Sequence, residues 1–155
     1  MNFLKISMLV ALSIQCNQLF ANSKKDSLSE NVFYTLKTAL ENPKQVKYFS
    51  YRVAQKDFLD PYIIDTLPKL EMLDLKSNNY FFIPENIGTL KNLKHLTISE
   101  NNIFKLPKNI IHCKNLNYLL IDRNSLVEIP QAIHQLKKLE TLDFSWNNIG
   151  HLYSN

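Results

Sequence analysis

Three segments of 23 residues follow one another without a gap: LPKLEMLDLKSNNYFFIPENIGT from Leu67, LKNLKHLTISENNIFKLPKNIIH from Leu90 and CKNLNYLLIDRNSLVEIPQAIHQ from Cys113. A fourth, LKKLETLDFSWNNIGHLYSN, opens at Leu136 and stops three residues short. A fixed period of this length restricts the chain to a stack of like units. One such unit cannot bury its own apolar face, so each must be covered by the next.

The apolar columns show how each unit is built. Leu70, Leu93, Leu116 and Leu139 form one column, and Leu73, Leu96, Leu119 and Leu142 the next. Leu75, Ile98, Ile121 and Phe144 follow two residues on, so the Leu-x-Leu step alternates with period two and predicts a short strand with one buried face. Asn78, Asn101, Asn124 and Asn147 come three residues later. Their amides suit the point where the chain leaves the strand, bonding backbone groups from coil to coil as a structural asparagine ladder. Pro84, Pro107 and Pro130 fix the next bend by locking their own φ. Only 2 of 155 residues are glycine, against a usual share of roughly 7%. Glycine-rich phosphate loops and dinucleotide fingerprints are thereby excluded, and the corners are expected to be turned by asparagine and proline.

Together these columns resemble the leucine-rich repeat family, in its 23-residue class with a Leu-Pro or Ile-Pro step after the asparagine, over residues 67–152. The resemblance implies an α/β fold: a right-handed leucine-rich repeat solenoid with a concave parallel β-sheet, short helical or extended turns on the convex side, and an N-terminal capping helix. It implies binding in general and names no ligand, because fold does not carry function.

Upstream the period fades. Residues 46–66 read as a degenerate first repeat, with Val46, Phe49 and Tyr51 as its strand and one extra residue in its loop: Pro61 lies 23 before Pro84, but Phe49 lies 24 before Leu73. Residues 22–45 carry a capping-box pattern at Ser27 and Glu30 and an apolar stripe of Leu28, Val32, Phe33, Leu36 and Leu40, ended by Asn42-Pro43. This predicts a helix covering the open end of the stack, as in exported bacterial proteins of this family that the lead-in ALENPKQV resembles. Residues 67–155 are the four repeats, the last incomplete and without an equivalent cap. Self-association through that last coil, or a longer leucine-rich repeat protein with a separate effector domain, are alternatives this leaves open.

Residues 1–21 have the layout of a secretory signal peptide: Lys5, an apolar run from Ile6 to Ile14, a polar stretch and small Ala21. A run of nine residues falls short of the roughly 20 needed to cross a bilayer as a helix. Export to the periplasm, cell surface or exterior is expected, with no transmembrane anchor after cleavage and lipidation at Cys16 as a minor alternative. Cleavage removes Lys5 alone among the charges and takes the net charge from +4 to +3. It also leaves Cys113 without a partner, in a column that holds leucine elsewhere, so packing and not a disulfide must hold the fold.

Outward strand positions are free of structural demand and are the natural partner-binding residues of the concave face. Read across the coils they are Met72, His95, Tyr118 and Thr141; Asp74, Thr97, Leu120 and Asp143; Lys76, Ser99 and Asp122; and Glu100, Arg123 and Trp146. Exposed aromatic and apolar groups mark contact surface, which singles out Tyr118, Leu120 and Trp146. Lys91, Lys114 and Lys137 share another register beside Lys69 and Lys138. A solubilising flank is the favoured reading, and an anionic envelope surface or a glycan the alternative partner. No catalytic, cofactor or metal site is expected, since His95, His112, His134 and His151 lack ligand spacing. Nucleic acid is disfavoured by the export signal and the small net charge. The chain reads as a non-enzymatic module that binds a protein.

Overall fold

The computed structural model describes residues 32–33, 36–51 and 57–150. Six short strands run parallel in one sheet and lie in chain order: β1 (Val32–Phe33), β2 (Tyr48–Ser50), β3 (Met72–Asp74), β4 (His95–Thr97), β5 (Tyr118–Leu120) and β6 (Thr141–Asp143). From β3 to β6 each partner lies 23 residues on, as in Leu73↔Leu96, Leu96↔Leu119 and Leu119↔Leu142. Three-residue strands do not stand alone in water. They persist here because each coil buries leucine and isoleucine against its neighbours, a gain of roughly 1.5–3 kcal/mol per fully buried side chain.

One apolar core runs the length of the stack. Leu70, Leu93 and Leu116 are buried, as are Leu75, Ile98 and Ile121, then Ile87 and Ile110. The gradient at the far end is physical: Leu139, Leu142 and Ile149 are only partly buried, and Phe144 is 40% exposed, because no further coil covers them among the described residues.

On the side opposite the sheet, each Leu-Pro or Ile-Pro step leads into a tight 3₁₀ turn: Glu85–Thr89, Lys108–His112 and Gln131–Gln135. Proline stands extended immediately before each turn, and the turn closes on its carbonyl, from Ile87, Ile110 and Ile133 N–H. The first coil differs. There Asp60 caps an α-helix, α2 (Pro61–Thr66), by accepting from Tyr62 N–H at 2.9 Å, and Pro61 is the first helical residue. Register is 24 up to the bridge Phe58↔Phe82, while Leu67 N–H to Ile64 matches Leu90 N–H to Ile87 at 23. The extra residue is therefore absorbed by α2, and the 23-residue spacing of Pro61 and Pro84 is not a structural equivalence.

The N-terminal region departs from the expected helix. Val32–Phe33 forms strand β1, in parallel register with Tyr48–Phe49, and the helix is only α1 (Leu36–Glu41). Valine and phenylalanine suit a pleated edge, and β2 would otherwise present unpaired backbone groups there. Ser27, Glu30, the export signal over 1–21, Cys16 and the end of the chain at Asn155 lie outside the described residues. No helix among the described residues is long and apolar enough to cross a membrane.

Candidate binding surface

The sheet face is held in place by what happens just beyond each strand. Residues Ser77, Glu100, Arg123 and Trp146 all adopt left-handed backbone conformation, with φ of 57°, 57°, 52° and 55°. Such a conformation costs roughly 1–2 kcal/mol for a residue with a Cβ. The asparagine that follows offsets this cost. Asn101 Nδ2 donates to the carbonyls of Ile98 and Ser99 in its own coil and of Leu75 in the preceding one, each at 3.0 Å. Its Oδ1 accepts Tyr80 N–H at 3.1 Å. Asn124 repeats this with Ile98, Ile121, Asp122 and Ile103, and Asn147 with Ile121, Phe144, Ser145 and Leu126. Asn78 donates to Tyr51 and Leu75 carbonyls at 3.0 and 2.8 Å. The left-handed residue makes the corner, and the asparagine locks it.

Two of the outward acids share in the same turn. Asp74 Oδ1 accepts Lys76 N–H at 3.0 Å and Asp143 Oδ1 accepts Ser145 N–H at 2.9 Å. The Ser145 backbone donor holds the Asp143 carboxyl below the usual carboxylate range. Glu100 accepts the Ser77 hydroxyl at 2.6 Å and lies 3.3 Å from Lys76 and 3.6 Å from Arg123, whose Nε stands 3.9 Å from Asp122. The Ser77 hydroxyl and then Lys76 depress the Glu100 pKa. Lys76, Glu100, Arg123 and Asp122 are thus a chain of paired charges. Glu71, clamped by Lys94 at 2.6 Å and Lys47 at 3.1 Å, forms a second chain along the sheet's leading edge.

Register brings Met72, His95, Tyr118 and Thr141 into one row across the sheet. Within it the His95 and Tyr118 rings stack, centroids 4.5 Å apart and planes 7° from parallel. Tyr118 is 37% exposed and its hydroxyl donates to Glu140 at 3.4 Å. Thr97 lies beside Leu120 in the next row, which is half-buried. Trp146 is 79% exposed. Ser99 is a correction: at 3% exposure it offers no surface, being a small side chain in a column between Lys76 and Asp122.

A second exposed apolar surface escaped the reading of the strands alone. Phe58, Phe81, Phe82 and Phe104 are 41%, 46%, 43% and 50% exposed on the segment that follows the asparagine. Phe58 and Phe82 stack with centroids 5.2 Å apart. Strand alternation does not reach this segment, so the sequence pattern does not say which of its residues face outward.

Other motifs resolve as structure. Lys91 Nζ donates to the Gly88 carbonyl at 2.6 Å, capping the turn beside it, and Lys138 Nζ to Asn115 at 2.6 Å. Cys113 is buried, its thiol donating to the Ile87 carbonyl at 3.2 Å, while adjacent His112 is exposed. Among the described residues no group of three or more His, Cys, Asp or Glu side chains could hold a metal ion.

A parallel coil stack with an asparagine ladder, Leu-Pro turns and a solvent-facing sheet defines a repeat solenoid. The chain belongs to the leucine-rich repeat family: the family profile described as "Leucine-rich repeat region" matches residues 51–153. Among solved structures, a leucine-rich repeat protein of Leptospira interrogans is similar at 32% identity and TM-score 0.59, covering 68% of this chain and 26% of that one. This chain thus spans about a quarter of that protein's length. The leucine-rich repeat ectodomain of a receptor kinase from Arabidopsis thaliana is similar at 25% identity and TM-score 0.59, covering 78% of this chain and 67% of that one. A plant peptide hormone receptor, solved in complex, shares the fold at 24% identity and TM-score 0.53, covering 66% of this chain and 16% of that one. No curated protein sequence matches the chain.

Proposed function

We propose that the chain is an exported, non-enzymatic module that binds a protein across the outward face of its sheet. The observation that carries this reading is the row containing the His95–Tyr118 stack, with Leu120 and the 79% exposed Trp146 alongside it. Exposed aromatics on a rigid scaffold bury much apolar area with little ordering cost on association. Met72, Thr97 and Thr141 extend the apolar and hydroxyl surface. Lys76, Asp122, Arg123 and Glu100 form a rim whose charges already neutralise one another. The receptor-kinase ectodomain and the peptide hormone receptor that share the fold support a binding role, and the N-terminal signal pattern over 1–21 supports export.

Affinity capture from an envelope fraction, with the chain as bait, tests the reading. Tyr118→Ala and Trp146→Ala should each reduce capture of a specific protein while leaving the thermal transition in place. Capture undiminished in both variants overturns the assignment of this face. Capture lost in 0.5 M salt but untouched by both variants would favour the lysine flank and an anionic envelope surface or glycan instead.

A further inference from the structure

The phenylalanine flank has a geometry of its own. Three coils pass through it, each contributing two consecutive residues: Asp57 and Phe58, then Phe81 and Phe82, then Phe104 and Lys105. Backbone bonds fix the stacking, since Phe81 N–H donates to Asp57 at 2.7 Å and Phe104 N–H to Phe81 at 3.4 Å. Parallel bridges Phe58↔Phe82 and Phe82↔Lys105 align the second column. All six residues are exposed. The result is a grid of two columns and three rows: Phe81 and Phe82 form the middle row, Phe58 and Phe104 one pair of opposite corners, and Asp57 and Lys105 the other pair.

We propose that this flank is the self-docking surface of a two-fold symmetric dimer, in which Asp57 of one copy faces Lys105 of the other. A two-fold axis lying in the plane of the patch, at right angles to the Asp57–Lys105 diagonal, brings each Asp57 to the partner's Lys105 and overlays Phe81 and Phe82 on their counterparts. An isologous contact needs a surface complementary to itself. This one is, because the axis exchanges its acidic and basic corners. Lys105 bonds Glu128 of the next coil at 3.3 Å, but both side chains are more than half exposed, so that pair yields readily to a better one.

The area fits a second copy. Four rings exposed by 41–50% of an aromatic side chain's area leave about 270–450 Å² of apolar surface. That is about a third to a half of the roughly 800 Å² per partner of a standard interface, enough for the apolar centre of one whose neighbouring side chains supply a polar rim. The half-buried Val127 continues the first column beyond Phe104, whose carbonyl accepts its N–H at 3.4 Å, and supplies part of that rim.

Sedimentation velocity on the purified chain from about 1 µM to about 1 mM tests the dimer, with Kd read from the mass shift. The mass should double across this range. Phe82→Ser and Phe104→Ser should each weaken the dimer by about tenfold or more, with the far-ultraviolet circular dichroism unchanged, while Trp146→Ala leaves it as it is. Asp57→Lys and Lys105→Asp should each weaken it, and the double exchange should recover most of the loss. A monomer throughout overturns the proposal, as does a dimer indifferent to both phenylalanine changes. A double exchange no better than the worse single variant removes the Asp57–Lys105 pairing and with it the proposed axis.

Discussion

Asn101 spans two coils: its Nδ2 donates to the Leu75 carbonyl of the preceding coil at 3.0 Å, and its Oδ1 accepts the N–H of Tyr80 in that same coil at 3.1 Å. One short side chain therefore satisfies backbone groups that no strand pairing reaches. Asn101→Ala leaves buried donors and acceptors unpaired and should destabilise by about 1–3 kcal/mol. Asn147→Ala should cost less, because Asn147 is half-exposed and water replaces part of what is lost. Urea denaturation of both variants reads the difference. Equal losses would mean that the ladder's contribution does not depend on burial.

The left-handed residue before each asparagine makes a second expectation. Arg123, at φ 52°, is held in a region that β-branched residues avoid. Arg123→Val should destabilise by about 1–2 kcal/mol more than Arg123→Ala. Arg123→Gly should lie within about 0.5 kcal/mol of the native chain, since relief of strain is offset by the extra freedom of the unfolded chain. The same denaturation series checks all three. A valine variant as stable as the alanine variant would show that the corner relaxes.

How legible the molecule was depended on whether a residue's role leaves a chemical trace. Leu73, Leu96 and Leu119 are apolar because they are buried, so their columns announce the coils. Ser77, Glu100, Arg123 and Trp146 share a backbone angle and no side-chain chemistry, and so the true corner was invisible in a chain where asparagine and proline stood out beside it. Val32 and Phe33 fit a helical stripe and a strand equally well, and the edge of β2 decided between them. On the surface, Tyr118 and Trp146 stood out because strand alternation says which residues face outward. The segment of Phe81 and Phe104 has no such simple alternation, and its exposed rings needed the coordinates.

Of the two glycines, Gly88 is required by crowding. A Cβ there would stand 2.5 Å from the Asn109 carbonyl oxygen and 3.0 Å from its Cβ, both in the next coil. Because the first of these is backbone in a stacked turn, the coils must part for alanine to fit. Gly88→Ala should lower stability by about 1–3 kcal/mol, the usual cost of overpacking, seen as a lower thermal midpoint. A midpoint equal to that of the native chain would show that the turns on this side can shift without loss.

Cys113 fills a position where Leu90 and Leu136 stand in the neighbouring coils, and it is fully buried. Burial pushes its thiol pKa up to about 11, against a small opposing pull from Lys91. At pH 8 the thiolate fraction is then on the order of one in a thousand, and the thiolate is the reactive form. In a Cys16→Ser background, the native protein should react with a disulfide reagent at least about a hundredfold more slowly than the urea-unfolded chain. Raising the pH towards 9 should accelerate the native reaction in proportion to thiolate. Rapid native labelling at pH 8 would mean that the coil opens easily around Ile87. Cys113→Leu should keep the fold, since it restores the column's own residue at the cost of one thiol bond to the Ile87 carbonyl.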